Sequence, residues 1–349
     1  MRDIAIVGAG AAGAAAAYAL RESGDRVTVF EKSRGVTGRA ATRRRDDCRY
    51  DHGANYVKSD DGRVNDLLTS VLDTEGLVDV EEPVYAFEAD GTISEGRDAD
   101  EHKWTYTEGL TQLGKRLFAT ADATVEHATR VCDVTHESEE GRDRWTLADA
   151  DGEGLGTFDA LLLTPPAPQT AELLSAMSWD DDRRARVHDA VASVEYVSIV
   201  TAVLHYPFPT EYPWYAAVNT DKDHPVGWLS REECKDGHVP EGESLLIAQM
   251  GQEWSAERID DDSDEVVAEA VGHVAELLGE GRFADPDWTD YQGWRYAQPK
   301  AGVEGGAHLA CEDASLYFAG DWVAGEGRVH AALRNGLEVG ERIADGDGE

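Results

Sequence analysis

Three glycines near the start of the chain have the spacing that a bound dinucleotide requires. Gly8, Gly10 and Gly13 follow the short apolar run of residues 4–7 without a gap, in the pattern Gly-x-Gly-x-x-Gly. Gly8 allows a tight turn, Gly10 lacks the Cβ that would block a pyrophosphate, and Gly13 lets a helix pack closely against the strand. The phosphates would then face the N-terminus of that helix. The stretch therefore predicts a strand–turn–helix unit that binds a dinucleotide.

An acidic residue follows the second strand of the same unit. The helix over residues 14–20 ends before Gly24, and a strand over residues 27–30 leads to Glu31. A carboxylate at this place accepts hydrogen bonds from a ribose 2′-hydroxyl and repels a 2′-phosphate, which favours FAD or NAD over NADP. The residues of this unit predicted to bind the cofactor are Gly8, Ala9, Gly10, Ala12, Gly13, Glu31 and Lys32.

A loop rich in glycine and arginine comes next. Residues 34–45 contain five arginines. A domain that binds only NAD does not need such a loop. FAD does, because its longer body must be held again where pyrophosphate meets the ribityl chain, and arginine binds phosphate bidentately. The alternative is that these arginines neutralise nearby acidic side chains. In residues 51–56, small residues would let the backbone approach a flat ring, whose edge the polar side chains could reach. From the two segments we expect cofactor contacts from Arg39, Ala40, Asn55 and Tyr56.

The charge of the chain limits its partners. Its 349 residues include 70 acidic and 32 basic ones, which gives a net charge of −38. Such a surface repels nucleic acid and anionic lipid, so we expect neither as a partner. The acidic excess is spread along the chain and is typical of proteins from a high-salt cytoplasm. The early nucleotide motif leaves no room for a signal peptide, and no apolar run reaches the ~18 residues of a membrane span. We therefore expect a halophilic cytoplasmic protein.

The cysteines do not indicate a metal or redox centre. Cys48, Cys132, Cys234 and Cys311 are far apart and form no Cys-x-x-Cys pair. We expect them to be small buried hydrophobic residues, and we predict no metal site. The sequence also lacks a His-Glu-x-x-His motif, a Gly-x-Ser-x-Gly elbow and a second glycine fingerprint for a separate nicotinamide domain.

Periodicity in the rest of the chain predicts two domains. The nucleotide domain continues through helices over 62–77 and 109–117 and strands over 125–134, 145–147 and 158–163, up to the prolines at 165 and 166. The middle is β-rich and aromatic, with strands over 194–204, 214–218, 226–229, 244–250 and 288–299 and a helix from about 260 to 278. We predict an α/β fold: a Rossmann-like FAD-binding domain (GR2-type) of residues 1–80, 108–166 and 300–349, with an inserted α+β substrate domain of residues 81–107 and 167–299 on a mixed or antiparallel sheet. Ligands usually bind in the cleft between two such domains.

The last strand of the substrate domain carries candidates for substrate binding. Trp294 and Tyr296 can stack on a planar substrate, and Arg295 can bind an anionic one. Because side chains alternate along a strand, Arg295 should point away from its two neighbours. The alternative is that the aromatic residues belong to the core beside the strand and that Arg295 forms a structural ion pair. His52 is a further substrate-side candidate, and His205 and His330 are also available as bases, although a lone histidine is usually structural.

Several strings of residues resemble the renalase-like branch of the flavin amine oxidase superfamily. They are Glu-Lys-Ser-Arg-Gly at 31–35, Gly-Arg-x-Ala-Thr-Arg-Arg at 38–44, Asp-His-Gly-Ala at 51–54, Trp-Ser at 254–255 and Trp-Arg-Tyr-Ala-x-Pro at 294–299. The resemblance covers most of the chain, closely at both ends and loosely between. This family usually has glycine where Thr37 stands and glutamine where Asn55 stands.

The resemblance implies further contacts with FAD. The backbone near Val131 would contact the adenine, and Gly320 and Asp321 would lie by the pyrophosphate and ribityl hydroxyls. A helix from Val329 would point its N-terminus at the pyrimidine edge of the flavin, where its dipole stabilises the negative charge of the reduced ring.

The implied activity is hydride transfer from a small molecule to flavin. A held flavin needs alignment of the donor over N5 more than acid–base help. The resemblance implies a dihydropyridine, such as a misreduced nicotinamide dinucleotide, or an amine, with oxygen or another acceptor reoxidising the flavin. Two alternatives stay open: an FAD enzyme for a larger apolar substrate of the polyene or porphyrinogen type, and a non-enzymatic binding protein on the same scaffold. The sequence leaves open the acceptor, the oligomeric state and any acid or base.

Overall fold

The computed structural model describes residues 1–96, 101–139 and 142–346. The strands are β1 Asp3–Val7, β2 Arg26–Glu31, β3 Thr42–Arg45, β4 Cys48–Asp51, β5 Val57–Lys58, β6 Leu77–Asp79, β7 Val84–Phe87, β8 Lys103–Tyr106, β9 Thr124–His127, β10 Val131–Glu139, β11 Arg142–Asp149, β12 Gly154–Phe158, β13 Ala160–Leu163, β14 Tyr196–Tyr206, β15 Ala216–Asn219, β16 Val226–Arg231, β17 Ser244–Met250, β18 Trp288–Pro299 and β19 Leu316–Phe318. The α-helices are α1 Ala11–Ala19, α2 Gly62–Asp66, α3 Thr111–Ala121, α4 Ala167–Ala176, α5 Asp182–Ala192, α6 Gln252–Arg258, α7 Ser263–Leu278, α8 Asp321–Ala324 and α9 Val329–Asp345. Short 3-10 turns cover Leu20–Glu22, Gly38–Ala40, Glu232–Cys234, Gly281–Ala284 and Leu309–Ala314, and a π-helical turn covers Leu67–Val71.

A five-stranded parallel sheet forms the centre of the nucleotide domain. Its order is β19-β13-β1-β2-β9, so strands from both ends of the chain lie in one sheet. The apolar residues of β1 are buried between its neighbours β2 and β13, as expected of a central parallel strand. A separate antiparallel sheet, β10-β11-β12, extends this domain. The predicted Rossmann-like fold is confirmed.

Two predicted elements have different bounds in the structure. The strand predicted over 125–134 is wrong as one element, because Ala128 adopts a left-handed φ of 53° between β9 and β10. The two strands belong to different sheets. The helix predicted over 62–77 is too long, since the chain leaves helical geometry at Leu72 and reaches the left-handed Gly76 through a turn.

The C-terminal helix packs directly on the first helix through small residues. A Cβ on Gly336 would lie 2.2 Å from the carbonyl oxygen of Ala12, and one on Gly340 would lie 2.7 Å from that of Ala16. Only glycine permits this approach of α9 to the alanine-rich α1. The contact holds the middle of α9 beside the start of α1.

The predicted substrate domain is built on a six-stranded sheet with the strand order β18-β14-β17-β16-β15-β7. Its neighbours pair antiparallel except β15 and β7, which are parallel, so the predicted mixed or antiparallel sheet is confirmed. Helix α7 begins at the capping residue Asp262, whose carboxylate accepts from the backbone N–H groups of Asp264 and Glu265. Its apolar face packs in the same hydrophobic core as the sheet.

None of the helices described is both long and apolar enough to cross a membrane.

Candidate active site

A cleft of ≈ 1180 Å³ is lined by residues of both predicted domains. Thirteen of the fifteen residues predicted to bind the cofactor lie on its wall: Gly8, Gly10, Ala12, Glu31, Lys32, Arg39, Ala40, Asn55, Tyr56, Val131, Gly320, Asp321 and Val329. Ala9 and Gly13 lie behind the wall. The structure thus brings together residues from the two ends of the chain, as the resemblance implied, while their contacts with the cofactor remain predictions.

The glycine turn has the shape that a pyrophosphate needs. Gly8 adopts a φ of +102°, and a Cβ on Gly13 would lie 2.1 Å from the carbonyl oxygen of Gly8. These values agree with the tight turn and the close helix packing expected at the two positions. By contrast, a Cβ on Gly10 would meet nothing within 4 Å, because this glycine faces the open cleft. Among the described residues no side chain caps the N-terminus of α1, so its free N–H groups fit an anion.

The carboxylate of Glu31 is held in place at the end of β2. Oε2 accepts a hydrogen bond from the backbone N–H of Ala9 at 2.8 Å, and Oε1 accepts one from that of Ser33 at 2.7 Å. Each oxygen keeps a further lone pair for a ribose hydroxyl. Ala9 therefore contributes by orienting Glu31.

Arg39 joins three parts of the site. Its guanidinium binds Asp321 through two hydrogen bonds of 2.8 Å. It also donates to the carbonyl oxygens of Ala297 at 3.0 Å and Tyr296 at 3.3 Å. The bidentate face that was expected to bind phosphate is therefore occupied by Asp321. Arg39 fixes the closing acid and the substrate strand relative to the arginine loop.

The other arginines of that loop do not line the cleft. Arg43 pairs with Asp290 at 2.9 Å, and Arg44 pairs with Glu108 at 3.2 Å. The guanidinium at position 45 lies over a tryptophan ring of β18. Arg43 and Arg44 are thus observed in the alternative role, neutralisation of nearby acids, and Arg45 packs on an aromatic ring.

The segment 51–56 is divided between the interior and the cleft. Residues 53–56 line the cleft, but the side chains of Asp51 and His52 do not. His52 stacks on Trp294 with 5.3 Å between ring centroids, and its carbonyl oxygen accepts from the indole Nε1 at 3.2 Å. Burial and the charge of Arg43 lower the pKa of His52 to about 4, so the ring is neutral at physiological pH. The structure places it as support for Trp294 rather than at the substrate.

Two departures from the resembling family have local explanations. Thr37 is buried with a left-handed φ of 78°, a conformation that β-branched residues rarely adopt and glycine adopts freely. The neighbouring Gly114 makes room for it, since a Cβ there would lie 2.5 Å from the threonine hydroxyl. Asn55 donates from its amide to the carbonyl oxygen of Asp51 at 2.8 Å and still reaches the cleft wall.

A bulge interrupts the pairing of β18 with β14. Two steps along β14, from Val197 to Ile199, are matched by four steps along β18, from Gln298 to Trp294. Trp294, Arg295 and Tyr296 all contribute atoms to the cleft wall. The guanidinium of Arg295, however, binds Asp260 beside a second, shallow pocket that neither Trp294 nor Tyr296 lines. Its side chain is therefore directed away from those of its two neighbours, as expected, and its ion pair agrees with the structural alternative.

Sequence reasoning missed several residues of the cleft wall. They are Lys58, Arg130, Lys222, Trp228 and Arg328. Of these, only Arg328 could have been predicted from the local sequence, because it directly precedes the residue at which α9 is predicted to begin. Like α1, helix α9 has no side-chain cap at its N-terminus, where Val329 lies on the cleft. The free N–H groups and positive dipole fit the electron-rich edge of a flavin.

Comparison with known proteins agrees with this geometry. Residues 6–71 match the model of an NAD(P)-binding Rossmann-like domain, and residues 91–344 match that of the flavin containing amine oxidoreductases. The fold is similar to that of a protein from Exiguobacterium sp. 255-15 described as a protoporphyrinogen oxidase (14% identity, 99% of this chain and 98% of that one, TM-score 0.77). It is also similar to cyclohexylamine oxidase from Brevibacterium oxydans IH-35A (14%, 100% of both chains, 0.75) and to putrescine oxidase bound to putrescine (14%, 99% and 98%, 0.73). The glycine turn, the clamped Glu31 and the uncapped helix end thus lie in a chain that belongs to the flavin-containing amine oxidoreductase family and is an FAD-dependent oxidoreductase.

Proposed function

We propose that this chain is a renalase-like enzyme that takes a hydride from a small dihydropyridine of the nicotinamide type, or from an amine, onto N5 of FAD. Oxygen or another acceptor then reoxidises the flavin. One observation carries the proposal: a single cleft is lined both by the glycine turn with Glu31 and by the aromatic strand that holds Trp294. A planar donor can therefore lie next to the end of the cofactor.

The residues of the chain provide binding and orientation. FAD, when bound, supplies the hydride acceptor. The uncapped N-terminus of α9 places positive potential at the end of the cleft where Val329 lies. Trp294, held by stacking on His52 and by its hydrogen bond, presents a fixed aromatic edge to a substrate. His330 also lies on the cleft wall, where a substrate could reach it. Its Nε2 is 3.6 Å from Oε1 of Glu326.

Anaerobic mixing tests the proposal. The purified holoenzyme is mixed with NADH, α-NADH, the misreduced dihydro isomers and a panel of primary amines, and bleaching of the flavin absorbance is followed. We expect one of the isomers or amines to bleach the flavin faster than ordinary NADH does. If no compound does so, the proposed substrate class is wrong.

The alternatives give different results in the same preparation. A non-enzymatic binding protein on this scaffold would purify without flavin absorbance. An enzyme for a larger apolar substrate would hold flavin that no compound of the panel bleaches but that a polyene or porphyrinogen reduces. The acidic composition supports a halophilic and cytoplasmic protein, which a requirement for molar KCl would test.

A further inference from the structure

The cleft has the opposite charge to the rest of the protein. Among the described residues that line it are seven basic side chains and four acidic ones, in a chain with 32 basic and 70 acidic residues. The basic ones are Lys32, Arg39, Lys58, Arg130, Lys222, Arg295 and Arg328, and the acidic ones are Glu31, Glu172, Glu253 and Asp321. A positive cleft with low-dielectric walls concentrates anions, even on a protein whose net charge is −38.

The positive excess lies in the half of the cleft that faces away from the nucleotide turn. Around that turn and β10, Lys32, Arg39 and Arg130 are balanced by Glu31, Glu172 and Asp321. The half formed by β5, the β15–β16 turn, β18 and the start of α9 holds Lys58, Lys222, Arg295 and Arg328 against Glu253 alone. The excess is therefore not explained by the phosphates of FAD.

Two of these four cations have no carboxylate partner among the described residues. Lys58 pairs with Glu101, and Arg295 pairs with Asp260. Lys222 and Arg328 are exposed, and among the described residues the side chain of Arg328 bonds only the carbonyl oxygen of the adjacent Gly327. Both cations lie on the wall of the cleft and are therefore available to an anionic ligand that enters it.

An aromatic wall lies beside these cations. The rings of Tyr56 and Trp228 both line the cleft, with centroids 6.2 Å apart. Burial raises the pKa of Tyr56, and the positive charges of Lys58 and Arg328 oppose that rise. The wall therefore combines surfaces for a flat ring with positive charge at the ring's edge.

We propose that the substrate half of the cleft is a binding site for planar anions, in which the ring lies against Tyr56 and Trp228 and a carboxylate or phosphate group lies at Arg328 and Lys222. The inference rests on the proposed function and narrows it. Between the two donors left open, an anionic dihydropyridine fits this half of the cleft, and a cationic amine does not.

Equilibrium binding tests this site without turnover. The FAD-loaded protein is titrated with benzoate, phenyl phosphate, benzamide and benzylamine, at the lowest KCl concentration that keeps it folded, and the change in the oxidised flavin spectrum is followed. Benzamide matches benzoate in shape and lacks its charge. We expect benzoate and phenyl phosphate to bind about fivefold or more tightly than benzamide, and benzylamine to bind most weakly. If phenyl phosphate binds more tightly than benzamide and benzoate does not, the site recognises phosphate. If benzoate binds more tightly than benzamide and phenyl phosphate does not, the site recognises carboxylate.

Substitutions locate the charge. Lys222→Gln and Arg328→Gln should each reduce the preference for the anion over benzamide about threefold, and added KCl should reduce it further. Lys115→Gln and Arg186→Gln are matched controls, since both residues are exposed and lie outside the cleft, and they should change nothing. Equal binding of benzoate, phenyl phosphate and benzamide, or a preference that survives both cleft substitutions, would overturn the proposal. Flavin that binds these anions but is not bleached by any donor would instead overturn only the proposed function.

Discussion

We expect Lys235→Met to destabilise the protein by about 3–5 kcal/mol, because it removes the cation that pairs with two buried carboxylates. The ammonium of Lys235 is fully buried, 2.7 Å from Glu232 and 3.1 Å from Asp51. His238 lies 2.9 Å from Glu232 through Nδ1 and 3.0 Å from the carbonyl oxygen of Tyr106 through Nε2. Both of these partners are hydrogen-bond acceptors. The substitution leaves the buried carboxylates of Asp51 and Glu232 without the ammonium that they share.

Thermal unfolding in KCl measures this loss. At about 2 °C per kcal/mol for a chain of this size, the Tm should fall by about 6–10 °C. Lys115→Met removes an exposed lysine and should stay within about 0.5 kcal/mol of the wild type. The double variant Lys235→Met with Glu232→Gln also removes one of the two carboxylates, so it should be more stable than Lys235→Met alone. A Tm within 1–2 °C of the wild type for the single variant, or a further loss in the double one, would refute the charge argument.

Four further outcomes follow from the geometry. Glu31→Arg should lower the flavin-to-protein absorbance ratio after gel filtration, because Glu31 is the fixed acceptor for the ribose, and full flavin content would contradict this assignment. Gly336→Ala should lower the free energy of unfolding by about 2 kcal/mol in a denaturant titration, because the new Cβ would meet α1. Gly272→Ala, which has open space around it, should raise the free energy of unfolding by about 0.5 kcal/mol. Burial raises the pKa of Asp51, but the charges of Lys235 and His238 outweigh this effect and hold the pKa below its ordinary value of 3.8. The ionised Asp51 therefore stabilises the fold above pH 3.8, and this stabilisation is lost as the pH falls further. Asp51→Asn should make the Tm depend less on pH in this acid range. The Tm should rise with KCl up to molar concentrations because of the net charge of −38, and a Tm independent of salt would contradict the halophilic assignment.

The parts of the structure predicted well are those that local sequence determines. Strand β1, the glycine turn and β2 are neighbours along the chain, and each glycine there has a separate steric requirement. Strands β17 and β18 have the bounds predicted for them, 244–250 and 288–299.

The parts predicted poorly depend on contacts between distant segments. Nothing near Arg43 in the sequence shows that Asp290 lies beside it, so phosphate and a neighbouring acid were equally good partners. The bulge after Trp294 is visible only once β18 is paired with β14. Lys222 stands in a turn far from both motifs, and only the closed fold puts it on the cleft with Arg328.

Asp51 shows how a residue can support the site from outside the cleft. Asp51 accepts hydrogen bonds from the hydroxyl of Thr42 at 2.6 Å and the backbone N–H of Leu110 at 3.0 Å, in addition to its ion pair with Lys235. The carboxylate thus binds β3, the start of α3 and the 3-10 turn before β17, and the chain that leaves it forms the cleft wall over residues 53–56. Because the wall starts at this buried acid, a change in its ion pair should move the wall. Lys235→Met should therefore weaken flavin retention as well as lower the Tm, although its side chain lies outside the cleft.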